Sequence, residues 1–114
     1  MPGRSAGDVV RTHLEAFSAG DLTAMLATMA PDAVFVSGTT TVPPQDFEEF
    51  FGWAIREINP IMKVTGVVVD GRHVACEFVE SVTLDGQRQH LNRAAFYTVD
   101  DDLITSAKVY DERD

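Results

Sequence analysis

The chain predicts an α+β fold in which three N-terminal helices pack on one face of a curved antiparallel sheet. Three observations carry this. Apolar residues recur at helical spacing through the first half: Val10, Leu14 and Phe17, then Leu22, Met25, Leu26 and Met29, then Phe47, Phe50, Phe51, Ala54, Ile55 and Ile58. The second half switches to β-rich, alternating runs. Two of those runs end at Asp70-Gly71 and Asp85-Gly86, pairs suited to type I′ hairpins, whose central residues both take positive φ.

Each element has its own signals. Ser5 followed by Asp8 resembles a capping box for the first helix, and Gly20 ends it. Asp21 caps a second helix that Pro31 stops. A short strand over Ala33 to Ser37 follows, then a Thr-rich loop to Pro43-Pro44, which opens the third helix. Asn59-Pro60 closes that helix. Four strands then form a meander: Ile61 to Val69, Arg72 to Leu84, a third reaching Val99, and Leu103 to Asp111, with a turn at Asp100 to Asp102 before the last. No linker or repeat divides residues 1–114, so a single domain is expected.

Composition excludes several classes of function. The 18 Asp plus Glu against 9 Lys plus Arg give a net charge of −9. Nucleic acid and anionic membranes both need basic patches, so neither is an expected partner. One cysteine, Cys76, rules out an internal disulfide and a thiolate zinc site, and it points to a reducing cytoplasm. No apolar stretch approaches the ~18 residues of a spanning helix, and the N-terminal residues lack a signal-peptide core. His13, His73 and His90 show no ligand spacing, so no metal is expected. Asp100 to Asp102 lacks the downstream Glu of a calcium loop. Phosphate-cradling loops and nucleophile elbows are absent as well, and no cofactor is implied.

The turns fix a register. A two-residue turn at Asp85-Gly86 pairs Leu84 with Gln87, hence Phe78 with Arg93 and Glu80 with Leu91. A three-residue turn at Asp100 to Asp102 pairs Val99 with Leu103, hence Leu91 with Asp111. One face then carries Val74, Cys76, Phe78, Glu80, Val82, Leu84, Leu91, Arg93, Ala95, Tyr97, Val99, Leu103, Thr105, Ala107, Val109 and Asp111. The other carries His73, Glu77, Ser81, Thr83, Arg88, His90, Asn92, Thr98 and Lys108, and is far more polar. The first face should meet the helices. Three charged residues interrupt it in nearly one row: Glu80, Arg93 and Asp111. Charges on a core face form either an ion-pair network or a site. In a site, the guanidinium keeps one carboxylate ionised as a base while burial raises the other into an acid.

The stretch Val9 to Leu22 (VVRTHLEAFSAGDL) resembles the opening of SnoaL-like and steroid-isomerase-like proteins. Ala30-Pro31-Asp32-Ala33-Val34-Phe35 is similar to the start of their first strand, and Asp101 to Asp111 (DDLITSAKVYD) to their last. On these residues the chain resembles the nuclear-transport-factor-2-like superfamily over nearly its whole length. The resemblance implies a cone-shaped fold around an apolar pocket and a homodimer formed through the outer sheet face. It also implies kinship with ketosteroid isomerases, polyketide cyclases, limonene epoxide hydrolases and non-catalytic binding domains. Fold alone does not choose among them.

Carried over residue by residue, the steroid-isomerase base falls on Ser37, its second acid on Ala94 or Ala95, and its phenolic donor on His13. Two of three functional groups are therefore missing, which disfavours steroid isomerisation by the usual route. Asp111 matches the aspartate that is the acid/base of SnoaL-type cyclases and the water-activating carboxylate of limonene epoxide hydrolases. Those hydrolases hold an Arg and a second Asp on one earlier strand, whereas Arg93 and Glu80 lie on different strands here, which is a departure.

The expected catalytic set is Asp111, Arg93, Glu80 and His13; the expected ligand-binding set is Phe17, Tyr97, Cys76, Leu91, Ser37 and Phe51. Each has a plainer alternative. Asp111 is otherwise a tail carboxylate, His13 a satisfied core histidine, and Cys76 a small buried apolar residue. Trp53 lies off its helix stripe, as a rim or partner contact would. The expected function is a cofactor-free acid/base isomerase or cyclase acting on a polyketide-, terpenoid- or steroid-like compound. An epoxide hydrolase and a non-catalytic ligand-binding or dimerisation domain are the alternatives.

Overall fold

The computed structural model describes residues 5–112. The first four residues of the stretch read for a signal peptide, and Arg113 and Asp114 of the acidic tail, lie outside the described residues. Three helices, α1 (Ala6–Ser18), α2 (Leu22–Leu26) and α3 (Phe47–Glu57), accompany six strands: β1 (Met29–Ser37), β2 (Thr40–Val42), β3 (Ile61–Asp70), β4 (His73–Leu84), β5 (Gln87–Asp100) and β6 (Leu103–Asp111). All six strands form one sheet in the order β2-β1-β6-β5-β4-β3. The expected α+β class and the helix-on-sheet layering are both present.

The caps act as the sequence predicts. Ser5 Oγ accepts the Asp8 amide at 3.1 Å, and Asp21 Oδ1 accepts that of Ala24 at 3.0 Å. Gly20, at φ +74°, lets the Gly20 amide reach the Phe17 carbonyl and the Asp21 amide that of Ala16, a Schellman closure. The chain thereby turns sharply from α1 into α2. Ser18 Oγ accepts the Met62 amide at 2.8 Å, tying the end of α1 to β3.

Four details differ from expectation. The first strand begins at Met29, and the Thr-rich loop contains β2, which folds back on β1 through Gly38-Thr39. β1 also pairs in parallel with β6, a contact far apart in sequence. Leu84 is exposed, because the β4–β5 hairpin projects beyond the helices. The last turn has two residues, Asp101 and Asp102, both at positive φ (51° and 62°), and it pairs Asp100 with Leu103.

That shorter turn alone would swap the faces of β6, since side chains alternate. A bulge at Thr105 reverses the swap: Val99 pairs with Ile104, but Thr98 pairs with Ser106. Ile104 is consequently a fully buried core residue, in place of Leu103 and Thr105. Beyond the bulge, Ala107, Val109 and Asp111 face inward as expected, although Asp111 pairs with Arg93 and not with Leu91.

The core lies between the inner sheet face and the helices. Its centre is a phenylalanine cluster around Phe51, whose ring meets those of Phe35, Phe50, Phe47 and Phe17 with centroids 5.0, 5.1, 5.7 and 5.9 Å away. The outer face holds His73, Ser81 and His90 as expected, with Ser81 Oγ 2.7 Å from His90 Nδ1. It also holds an exposed aromatic pair, Phe96 and Tyr110, with ring centroids 5.9 Å apart.

Candidate active site

The β4–β5 register places Phe78 opposite Arg93 and Glu80 opposite Leu91, as the Asp85-Gly86 turn predicts. Arg93 then reaches both neighbouring strands. Its Nε lies 2.9 Å from Glu80 Oε1, and its Nη1 lies 3.0 Å from Asp111 Oδ1. The Nε contact is an ion pair without the alignment of a hydrogen bond. The three side chains are only 17% (Arg93), 9% (Glu80) and 22% (Asp111) exposed. One guanidinium between two carboxylates leaves a surplus negative charge in a poorly hydrated place, so a proton held there relieves it. Glu80 shows the raised proton affinity that this favours. Burial pushes its carboxyl above the ordinary value, Arg93 opposes this, and Asp111 adds to it.

On the helix side, His13 comes from the buried stripe of α1 and is 3% exposed. Its Nδ1 lies 2.8 Å from Thr28 Oγ1, and its ring stands edge-on to Tyr97 with centroids 6.0 Å apart. Burial lowers its pKa from 6.5 to about 4, partly countered by a hydrogen bond to the Met25 carbonyl. The imidazole is therefore neutral near pH 7. Burial likewise keeps the Cys76 thiol protonated, pushing it up to about 11, and moves the Tyr97 phenol above its usual range. Neither is an anionic nucleophile.

A cavity of about 130 Å³ separates the two sides. Of the expected site residues, His13, Phe17, Ser37, Phe51, Glu80 and Arg93 line it. Cys76 and Tyr97 are buried among core residues and are not on its wall; Leu91, half-buried beside Glu80, is not there either. Asp111 is on the far side of Arg93, in an open cleft of about 800 Å³ formed with Ser37 to Thr40 and Tyr110. Ser37 and Arg93 belong to both spaces and form the threshold between them. Trp53 is half exposed and, with Phe50, forms a second rim shared with a cleft of about 490 Å³ beside β2.

Sequence reasoning missed Thr28, Phe50 and Met62 at this site. Phe50 and Met62 were legible as apolar residues but not as cavity wall. Thr28 gives no signal, because it sits in the turn between α2 and β1 and meets His13 only through tertiary packing. Among the described residues, no group of three or more His, Cys, Asp or Glu side chains is placed to hold a metal. No described helix is long and apolar enough to cross a membrane.

Helices closing a curved sheet over a cavity, with ionisable side chains on its inner wall, define the nuclear-transport-factor-2-like class of α+β proteins. Within it, the chain belongs to the SnoaL-like domain family, which matches residues 10–107. Solved structures agree in fold. An LEH-like epoxide hydrolase of M. tuberculosis superposes with a TM-score of 0.86 at 19% identity, covering 94% of this chain and 82% of that one. A candidate polyketide cyclase from Xanthomonas campestris pv. campestris gives 0.83 at 25% identity, covering 92% and 88%. IdmH, a candidate polyketide cyclase from Streptomyces antibioticus, gives 0.83 at 19%, covering 96% and 93%. No curated protein matches the sequence.

Proposed function

We propose that the protein is a cofactor-free acid/base isomerase or cyclase acting on an apolar, oxygenated compound of the polyketide, terpenoid or steroid type. The observation that carries this reading is Arg93 between Glu80 and Asp111 at the threshold of the cavity. Arg93 binds the oxygen on which negative charge develops, where a preorganised cation is most effective. Glu80, on the cavity wall with a raised pKa, gives up a proton; Asp111, on the cleft side, takes one. His13 faces the substrate from α1, and Phe17, Phe51 and Ser37 pack against it.

The 130 Å³ cavity is smaller than the ~300 Å³ at which drug-sized sites begin, so a multi-ring substrate needs the Phe50–Trp53 rim to move or extends into the Arg93 cleft. Tyr97 supports the site from behind through its edge-on contact with the His13 ring, while Cys76 and Leu91 are not on the cavity wall. The same reading includes a homodimer through the outer face, supported by Phe96 and Tyr110, 54% and 48% exposed, and a cytoplasmic setting, supported by the single buried thiol. Sedimentation at several concentrations tests the dimer, and a Phe96→Glu variant should be monomeric.

For the activity, Asp111→Asn should abolish turnover while leaving ligand-induced thermal stabilisation intact. Loss of both together, or no turnover by the wild type on any such compound, rejects the enzyme reading in favour of a binding domain. The carboxylate–Arg–carboxylate row also suits epoxide hydrolysis, with Asp111 activating water and Glu80 protonating the epoxide oxygen. Incorporation of ¹⁸O from water into the product distinguishes the two.

A further inference from the structure

We propose that Thr28 is a positioning residue that fixes His13 with its proton on Nδ1, so that the cavity is offered the Nε2 lone pair as a hydrogen-bond acceptor for a ligand hydroxyl. The inference rests on the proton count of one hydroxyl. Thr28 Oγ1 lies 2.6 Å from the Met25 carbonyl oxygen, which can only accept, so the single hydroxyl proton is used there. Toward His13 Nδ1, 2.8 Å away, Thr28 can then only accept, and Nδ1 must donate.

Thr28 is held firmly enough to impose this choice. Its amide donates to the Met25 carbonyl at 3.1 Å, and its carbonyl accepts from the Ile104 amide at 2.8 Å. Both flanking positions are thus pinned, one to α2 and one to the core strand β6. His13 lines the cavity; with Nδ1 engaged by Thr28, Nε2 is the ring nitrogen left for a ligand there.

This deepens the proposed function by naming what the ligand must carry. A hydroxyl or enol proton is needed for Nε2, and an electron-rich oxygen for Arg93. A compound with acceptor oxygens only would set a carbonyl lone pair against the imidazole lone pair and be rejected.

The tautomer is read directly from two-bond ¹⁵N–¹H correlations of ¹⁵N-histidine-labelled protein, without any substrate. The wild type and Thr28→Ser should both show the Nδ1–H form for His13. Thr28→Val, which keeps the shape and loses the hydroxyl, should show the Nε2–H form or a mixture. A wild-type spectrum in the Nε2–H form, or a Thr28→Val spectrum unchanged from wild type, overturns the proposal. Should Thr28→Val fail to fold, the wild-type and Thr28→Ser spectra still decide it. For the ligand, phenol should move the His13 Nε2 resonance and bind about tenfold more tightly than anisole, which lacks the donor. Equal binding of the two rejects the acceptor role. Because none of these readouts involves turnover, a protein without enzymatic activity can still satisfy them, and an active enzyme can fail them.

Discussion

On the helix side of the cavity, one imidazole is enclosed by apolar neighbours and a single threonine hydroxyl. On the sheet side, a guanidinium lies between two carboxylates at a threshold open to a cleft. Burial acts on both and leaves them in different states. Among the described residues His13 forms no ion pair, so losing its proton is the cheapest response to burial, and its pKa falls to about 4. Glu80 does have a cation beside it, yet its pKa rises, because desolvation and the second carboxylate together outweigh Arg93. A neutral imidazole on one wall and a carboxyl of raised proton affinity on the other follow from ratios of charge to burial, with no special chemistry in either side chain.

The contrast breaks most visibly at Arg93. Arg93→Met leaves two carboxylates facing each other in a poorly hydrated place, and it should cost about 3 kcal/mol or more in urea unfolding at pH 7. The loss should shrink as the pH is lowered, because Glu80, whose proton affinity is raised by burial, then takes up a proton. A cost below about 1 kcal/mol would mean the row is an ordinary surface ion pair. The equivalent removal on the other wall, His13→Leu, takes away one neutral hydrogen bond and should cost only about 1 kcal/mol at pH 7.

The two walls should also give stability opposite slopes with pH. Unfolded, His13 takes up a proton near pH 6.5; folded, it does so only near 4. Between these values the unfolded chain binds more protons, so stability falls as the pH drops through that window, by up to roughly 3 kcal/mol. His13→Leu should flatten this limb. Glu80 behaves in reverse. The folded state keeps its proton after the unfolded state has lost it, so its contribution is present below the unfolded value of 4.5 and is lost as the pH rises through the raised folded value. Glu80→Gln, which is neutral throughout, should remove that loss and leave the His13 limb untouched. Chemical denaturation at pH 4, 5.5, 7 and 8.5 separates the two. Coincident profiles for wild type and both variants would contradict the assignment of charge states to the two walls.

The two walls were also unequally legible in the sequence. The Glu80–Arg93 relation follows from one two-residue turn, because Asp85-Gly86 fixes every pairing between β4 and β5. Asp111 was read two residues out of register: the Asp100 to Asp102 run hides which of its residues form the turn, and Thr105 carries no mark of a bulge. Its face was nevertheless right, since the two errors in parity cancel. His13 was visible on an apolar helix stripe, but its tautomer depends on Thr28, fifteen positions along and brought to it by the Gly20 reversal. Local signals specify elements and short-range pairings. The tautomer of a histidine is a property of packing.

Phe50 belongs to neither wall, and it governs whether one ligand can touch both. Its half-buried ring contributes to the Phe51 cluster and separates the cavity from the cleft beside β2. Phe50→Ala removes a partly exposed ring at the edge of the core, so its stability cost should be smaller than for a fully buried phenylalanine, about 1–2 kcal/mol. The effect on binding is the informative one. Joining the cavity to the cleft should let 2-naphthol bind at least as tightly as phenol, whereas in the wild type the larger probe should bind more weakly. Both have the hydroxyl that His13 accepts, so the variant changes size selection without changing the polar match. If 2-naphthol gains nothing from Phe50→Ala, the cavity extends through the Ser37–Arg93 threshold instead, and the ligand reaches His13 from the charged wall.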